Sequence, residues 1–231
     1  MQNRFAAAMV ALLTFAGGPT LADRLVVVEL FTSQGCSSCP PADALLGELT
    51  RQEGVLPLAL HVDYWDYIGW KDEFARPEHT LRQKAYAAAF GTGTIYTPQM
   101  VVGGKDHVVG FKPGRLAKLL MQHADSPAAV TVSAEWEGKT VVVTVTPVGM
   151  SKAADIVLVR YLKERAVSIY RGENAGRDLT YHNIVADMRR IGTWDGEEPY
   201  TTRAETSGDG EYAVLVQRPD AGPVLAAATL P

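Results

Sequence analysis

Cys36 and Cys39 are the only two cysteines among the 231 residues, and their spacing is the feature of the chain best suited to redox chemistry. A disulfide across so short a ring stabilises a fold by on the order of 2 kcal/mol in the loop-entropy model, against roughly 4.7 kcal/mol for a 100-residue loop. A pair that contributes so little as a brace is better explained by thiol chemistry. Cys36 is the predicted nucleophile, and Cys39 is the predicted resolving thiol that attacks a mixed disulfide.

The elements around the cysteine pair place it where a strand passes into a helix. Residues 25–31 form a β-branched apolar run, typical of a strand buried on both faces. After the pair, Ala42, Leu45, Leu46 and Leu49 recur at helical spacing. Residues 55–62 are a second apolar run, which predicts a parallel βαβ unit. The positive end of the helix would then favour a thiolate on Cys36.

The rest of the first half continues as a mixed α/β arrangement. The sequence predicts a helix from about Pro77 to Phe90, a strand over 99–102, and an antiparallel strand over 107–109 after the turn Gly103-Gly104. A last helix follows near Leu116 to His123. The predicted order is therefore β-α-β-α-β-β-α.

Composition changes at Asp125-Ser126-Pro127, and alternating apolar residues follow. Predicted strands lie at 130–136, 140–147, 156–162, 167–170 and 212–217, with a weak helical or irregular insert near 181–190. We expect residues 1–22 to be a signal peptide, 23–125 an α/β domain, and 126–231 a mainly β, sandwich-like domain.

The order of elements and the Cys36-Ser37-Ser38-Cys39 box together resemble the thioredoxin fold over roughly residues 24–123. Thr97-Pro98 stands where that superfamily carries a cis-proline facing the cysteines, so the resemblance implies a cis Pro98 and a substrate-contacting Thr97. It also implies that Glu29 is a buried proton acceptor for the resolving cysteine. Since Glu29 lies one residue further from Cys36 than usual, a strand-edge carboxylate facing solvent is the alternative.

A narrower resemblance covers nearly the whole chain after the predicted leader. The segment from Glu29 to Asp43, with those at 61–66, 97–100 and 171–174, is similar to a family of secreted, thioredoxin-like bacterial proteins of unknown function. This resemblance supports the predicted fold far more strongly than it supports any particular reaction.

Several other residues are candidates for the surroundings of the cysteines. Asp63 and Trp65 follow the second strand, whose carboxyl end lies beside the cysteine loop in a parallel sheet, so they are candidate substrate contacts. The alternative is that Trp65 packs under the predicted insert and that the carboxylate of Asp63 keeps this surface solvated. For Trp70 we expect simple packing. The segment 171–174, with 181–183, is polar enough for a binding loop, but we expect an ordinary turn there. We expect His107 and His123 to be structural histidines.

Charge and composition exclude several classes of function. With 22 basic and 26 acidic residues the formal charge is -4, which gives no electrostatic footprint for nucleic acid or an anionic membrane. The sequence has no glycine-rich phosphate loop, zinc-binding helix or serine hydrolase elbow, and we predict no cofactor and no resident metal.

The first residues resemble an export signal. Arg4 precedes an apolar run over 5–17, and Thr20-Leu21-Ala22 supplies small residues for cleavage after Ala22. No later stretch is apolar and long enough to span a bilayer. We therefore expect a periplasmic or secreted protein.

These features predict an exported thiol–disulfide oxidoreductase that acts on protein thiols or disulfides with an unknown redox partner. The alternative is a binding module on the same scaffold, holding a partner protein or Cu(I), with His61 as a third ligand to the metal. In a third possibility the disulfide is chemically inert and only constrains the backbone at the start of the helix.

Overall fold

The computed structural model describes residues 25–149 and 151–230, which form an α/β protein with a large mixed sheet, three α-helices and mainly strands. The α/β class is thereby confirmed. The predicted signal peptide, residues 1–22, lies outside the described residues. None of the described helices is long and apolar enough to cross a membrane.

The first half has the predicted order of elements. Strand β1 is followed by helix α1, strand β2, a short 3-10 turn at Asp66–Ile68 and helix α2. The hairpin β3–β4 and helix α3 come next. The bounds are β1 Val26–Thr32, α1 Pro40–Leu49, β2 Val55–His61, α2 Pro77–Ala89, β3 Gln99–Val102, β4 Asp106–Val109 and α3 Pro113–Ala124.

In the second half all the described elements are strands. Their bounds are β5 Val130–Glu137, β6 Thr140–Pro147, β7 Ala154–Ile169, β8 Arg177–Trp194, β9 Tyr200–Glu205, β10 Glu211–Gln217 and β11 Val224–Thr229. The predicted insert near 181–190 is wrong, because those residues belong to the long strand β8. Its polar residues gave little alternation, but pairing with β7 along almost its whole length satisfies the backbone of this segment.

One sheet carries strands from both halves of the chain. Its order is β11-β10-β7-β8-β2-β1-β3-β4, with β1 and β2 parallel and the hairpin β3–β4 antiparallel, as predicted. Strand β8 joins β2 through a single bridge, Ala59 to Ile184. The remaining strands form a second sheet in the order β5-β6-β9.

Alternation along β1 divides the core between the two faces of the large sheet. Val26, Val28 and Leu30 pack with α1 and α3, whereas Val27 and Phe31 pack with Tyr86 of α2. Further along the sheet, residues of β7, β10 and β11 pack against β5 and β6 in a third cluster, which gives this half a sandwich-like arrangement.

The hairpin of β7 and β8 extends beyond the large sheet. We call residues 162–182 the β7–β8 arm; within it Glu164 pairs with His182 and Ile169 pairs with Arg177. Strand β8 contacts α1 closely at Gly47, where a Cβ would lie 2.5 Å from Cδ2 of His182. The arm therefore lies against the helix that follows the cysteine pair.

Candidate redox site

Cys36 and Cys39 form a disulfide at the junction between β1 and α1, with their Cα atoms 5.4 Å apart. Cys39 is the N-cap residue of α1, and its carbonyl accepts hydrogen bonds from the N–H groups of Ala42 and Asp43. Cys36 is 1% exposed and Cys39 is fully buried, whereas Ser37 and Ser38 between them are exposed. The solvent-facing part of the site is thus the pair of serines.

The loop before Cys36 is held by buried polar contacts. The N–H of Gln34 donates to Oδ2 of Asp72 at 2.8 Å, and Nε1 of Trp70 donates to Oε1 of Gln34 at 2.7 Å. A Cβ on Gly35 would lie 3.2 Å from Cβ of Trp65, so the loop also packs against that residue. Only packing was expected for Trp70, but its indole N–H also donates a hydrogen bond to the cysteine loop.

The tip of the β7–β8 arm covers the cysteine loop. Asn174 is 1% exposed, and its Nδ2 donates to the carbonyl of Gln34 at 2.9 Å and to the carbonyl of Cys36 at 3.0 Å. Oε2 of Glu173 accepts a longer bond, 3.4 Å, from the N–H of Ser37. The sequence favoured an ordinary turn over a binding loop for this segment, but the segment hydrogen-bonds directly to the cysteine loop.

Thr97 and Pro98 lie at the same edge of the sheet as the cysteine loop. Phe31 pairs with Gln99 across β1 and β3, so the residues before Gln99 lie beside the end of β1. The Thr97–Pro98 peptide bond is cis, as the resemblance implied. Oγ1 of Thr97 accepts a 2.7 Å hydrogen bond from Nε1 of Trp65. The structure thus brings together Trp65, Thr97 and Pro98, which are three of the predicted site residues.

Asp63 is tied to helix α2. Its Oδ1 accepts a 2.5 Å hydrogen bond from Oγ1 of Thr80, and its backbone N–H donates a longer bond to the same hydroxyl. The side chain is half-buried. The contact that the structure gives Asp63 is therefore structural, and its predicted contact with a substrate stays a prediction.

Glu29 is fully buried, so the solvent-facing alternative is wrong. Its carboxylate accepts two hydrogen bonds from Arg82, at 2.6 and 3.0 Å, and a third from the hydroxyl of Tyr86. Nη2 of Arg82 also donates to Gln217 of β10 at 2.8 Å. These partners lie on the α2 face of the sheet, opposite the face that α1 covers. The observed contacts of Glu29 make it a brace between β1, α2 and β10.

A second set of buried polar groups lies on the α1 face, beside the cysteine pair. Oγ1 of Thr32 donates to Oδ1 of Asp43 at 2.7 Å. Nδ1 of His61 lies 2.7 Å from Oδ2 of Asp72, and both side chains are fully buried. The ring of Tyr181 packs edge-on against the ring of His61, with centroids 4.9 Å apart. We call Asp43, His61, Asp72 and Tyr181 the buried polar cluster.

The environment of the buried polar cluster shifts the pKa of each member. Burial raises the pKa of Asp43 to about 7, although the charge of His61 and the bond from Thr32 oppose the shift. Burial disfavours the charged forms of His61 and Asp72, but their mutual attraction and hydrogen bonds raise the pKa of His61 and lower that of Asp72. Burial raises the pKa of the Tyr181 hydroxyl. The cluster thus holds a histidine–carboxylate pair, in which each partner favours the charged form of the other, next to a carboxyl group whose pKa is raised to about 7.

The histidines expected to be structural have structural contacts. Nδ1 of His107 lies 2.8 Å from the hydroxyl of Tyr96, and its ring stacks on Phe90. Nε2 of His123 lies 2.8 Å from Oδ2 of Asp106. Both contacts link β4 or its turn to neighbouring segments.

The sequence did not single out Asp43 or Asp72, and it indicated a binding loop at the segments of Asn174 and Tyr181 only as the less favoured alternative to a turn. Asp43 carried a usable signal, because it lies one turn after Cys39 on the same side of α1. Asp72 gave none, since it lies in an irregular segment between the 3-10 turn and α2.

The fold and the site together define a class: an α/β protein with a disulfide-bonded cysteine pair where a strand meets a helix, covered by a hairpin from the second half of the chain. Such a pair can accept two electrons as a disulfide or donate them as a dithiol. In the described residues, no group of three or more His, Cys, Asp or Glu could hold a metal ion.

The chain belongs to a family described as a protein of unknown function (DUF1223), which matches residues 27–217. It is similar to the crystal structure of a protein from Agrobacterium tumefaciens solved by a structural genomics consortium. That comparison has 34% identity and a TM-score of 0.76, and covers 89% of this chain and 93% of the other. HBP35 of Porphyromonas gingivalis is similar in fold, with 17% identity and a TM-score of 0.64 over 90% of this chain and 75% of that one. No curated protein matches the chain.

Proposed function

We propose that the protein is an exported thiol–disulfide oxidoreductase built on a thioredoxin-like core, acting on protein thiols or disulfides. The observation that carries the proposal is the disulfide between Cys36 and Cys39 at the start of α1, beside the carboxyl ends of β1 and β2. The order of β1 to α3, with the neighbouring strands β2-β1-β3-β4, supports the resemblance to the thioredoxin fold. Export rests on the apolar leader over 5–17 and the small residues that follow it.

The proposed reaction begins with the reduced pair. The Cys36 thiolate attacks one sulfur of a partner disulfide, which forms a Cys36–partner bond and releases the other partner sulfur as a thiolate. Cys39 then loses its proton and attacks Sγ of Cys36, which re-forms the Cys36–Cys39 disulfide and releases the second partner thiolate. Two electrons pass from the dithiol to the partner disulfide, and the reverse sequence oxidises a partner dithiol.

Contacts around Cys36 support its role as the attacking sulfur. The hydroxyl of Ser38 lies 3.5 Å from Sγ of Cys36, within reach to donate a hydrogen bond to a thiolate there. The N-terminal end of α1 adds a favourable electrostatic field. Both effects lower the free energy of the thiolate relative to the thiol. Because Cys36 is 1% exposed, exchange also requires a partner that displaces part of its cover.

Reduction of insulin by dithiothreitol, followed by turbidity, tests the proposal on the full chain after removal of the leader. The wild type is expected to accelerate reduction, and Cys36→Ser to abolish the acceleration. Cys39→Ser is the matched variant: it is expected to accumulate a mixed disulfide with a partner peptide, which Cys36→Ser cannot form. Equal activity of the wild type and Cys36→Ser would rule out exchange chemistry at this pair.

A further inference from the structure

Three polar atoms of the buried polar cluster have no hydrogen-bond partner within the described part of the chain. They are Oδ2 of Asp43, Nε2 of His61 and the hydroxyl of Tyr181. Asp43 is 5% exposed and the other two are 0–1% exposed, so each atom is withdrawn from bulk water. Burying an unpartnered polar atom is costly, and such atoms are commonly retained where they serve a function.

Asp43 is the member of the cluster next to the cysteine pair along α1. It follows Cys39 by one helical turn, and its N–H donates to the carbonyl of Cys39 at 3.1 Å. Residues four apart lie on one side of a helix, and side chains lean toward the N-terminus, so the Asp43 side chain leans toward the turn that begins at Cys39. Among the described residues, Oδ1 of Asp43 accepts a bond from Thr32 and Oδ2 has no hydrogen-bond partner, which leaves Oδ2 free to exchange a proton.

We propose that Asp43, supported by the His61–Asp72 pair, accepts the proton of the Cys39 thiol during oxidation of the pair and returns it during reduction. This inference rests on the function proposed above and assigns its proton transfers. In the oxidising direction the Cys39 S–H bond breaks, the proton passes to the Asp43 carboxylate, and the sulfur electron pair forms the bond to Sγ of Cys36. The partner sulfur leaves as a thiolate, to which the proton is passed on.

The electrostatics of the cluster suit this exchange. An acid–base group works best when its pKa lies near the operating pH, and burial brings the pKa of Asp43 to about 7. The charges that face Asp43 are those of His61 on β2 and Asp72 after the 3-10 turn. Titratable groups of the neighbouring cleft and cluster come from α1 and β8, namely Glu48, Arg51, Asp178, Tyr181 and His182.

Asp43 also has a path for protons to solvent. It lines a cleft of about 300 Å³ between α1 and β8, together with Gly47, Arg51 and His182. Glu29, the acid that the resemblance implied for this role, faces the opposite side of the sheet, and its carboxylate is already bonded by Arg82 and Tyr86. The geometry therefore favours Asp43 over Glu29.

Reduction of the Cys36–Cys39 disulfide by dithiothreitol tests the inference without a protein substrate. The rate is measured from pH 5.5 to 8.5 and divided by the concentration of the dithiothreitol thiolate. In this direction dithiothreitol attacks Sγ of Cys36, and Cys39 leaves and takes the proton of Asp43. The normalised wild-type rate is expected to fall about 10-fold as the pH rises through 7, since Asp43 loses its proton.

Three variants make the test specific. Asp43→Asn is expected to give a flat profile at the level of the wild type at high pH. Glu48→Gln, an exposed carboxyl on the same helix and cleft, is the matched control and should keep the wild-type fall. Thr32→Val removes the hydrogen bond that lowers the pKa of Asp43, so its midpoint should lie above that of the wild type.

A flat wild-type profile, or a fall that persists in Asp43→Asn, would overturn the inference. If Asp43→Asn does not fold by circular dichroism, Thr32→Val decides: an upward midpoint supports the role of Asp43, and an unchanged one overturns it. Insulin reduction by the wild type together with a flat profile would reject this inference while the proposed function stands. Absence of insulin reduction would reject that function separately.

Discussion

The contact between Asn174 and the cysteine loop leads to a quantitative prediction for Asn174→Ala. Its amide donates two buried hydrogen bonds, at 2.9 and 3.0 Å. The carbonyl of Cys36 keeps a second donor, the N–H of Cys39, at 3.2 Å. The carbonyl of Gln34 loses the donor that Asn174 supplies and stays buried. Two lost bonds of about 1 kcal/mol each, with one carbonyl left unsatisfied, lower the free energy of unfolding by about 2–4 kcal/mol.

The same substitution is expected to open the cysteine loop to reductants. If the arm must lift before Cys36 can be attacked, a loss of about 2 kcal/mol from the closed form corresponds to about 30-fold faster reduction. The assays are urea unfolding of the oxidised protein and the rate of disulfide reduction by a phosphine. The slope of the urea transition should be unchanged, because the surface exposed on unfolding stays the same.

Glu173→Gln is the matched control, since Glu173 lies beside Asn174 and makes only a 3.4 Å contact in an exposed position. Its free energy of unfolding is expected to stay within about 0.5 kcal/mol of the wild type. If Asn174→Ala is as stable as this control and its disulfide is reduced no faster, the arm does not hold the cysteine loop closed.

Four further variants probe two buried carboxyl groups and the packing at two glycines. Glu29→Gln is expected to lower the free energy of unfolding by about 3–5 kcal/mol in urea titrations, because it leaves a buried guanidinium without its carboxylate. Asp43→Asn should gain stability relative to the wild type as the pH rises from 4 to 8. Burial raises the pKa of Asp43 in the folded protein from 3.8 to about 7. The protonated carboxyl therefore stabilises the wild-type fold at low pH, and this stabilisation is lost as the pH rises through 7. Equal pH dependence of the two unfolding free energies would contradict the shift. Gly47→Ala should destabilise by about 1–3 kcal/mol through contact with His182, whereas Gly114→Ala, which meets nothing within 4 Å, should stabilise by up to about 1 kcal/mol in thermal unfolding.

Local patterns were enough to predict the first half of the fold. The apolar run before Cys36 and the helical spacing after it predicted β1 and α1, and Gly103-Gly104 predicted the β3–β4 hairpin. Strand β6 was predicted with its observed bounds, residues 140–147, because its alternation is regular. These elements have periodicities that tertiary contacts only reinforce.

The second half shows where local patterns fail. Residues 154–169 form one strand, β7, although the sequence suggested two, and 181–190 belong to β8 rather than to an insert. Both strands contain polar stretches that only mutual pairing stabilises. The continuity of the large sheet from β2 to β8 depends on one bridge, between Ala59 and Ile184, which has no signature in either segment.

For the site, the sequence predicted the cysteine pair and the Thr97-Pro98 segment, which lie at one edge of the sheet. It did not predict the partners that fix them. Asp72 reaches the loop from 38 residues away and Asn174 from 138 to 140 residues away, and contacts at such separations leave no periodic signal. Glu29 was correctly proposed to be buried as one of two alternatives, but its Arg82 partner was not anticipated.

The contact of Asn174 with the cysteine loop has a consequence for the order of events during synthesis. Because a chain is synthesised from its N-terminus, Cys39 is added 174 − 39 = 135 residues before Asn174. At the usual rates of synthesis this separation lasts on the order of ten seconds. During that interval both thiols are present without the hairpin that later covers them. Oxidation of the pair can therefore precede its enclosure by the β7–β8 arm.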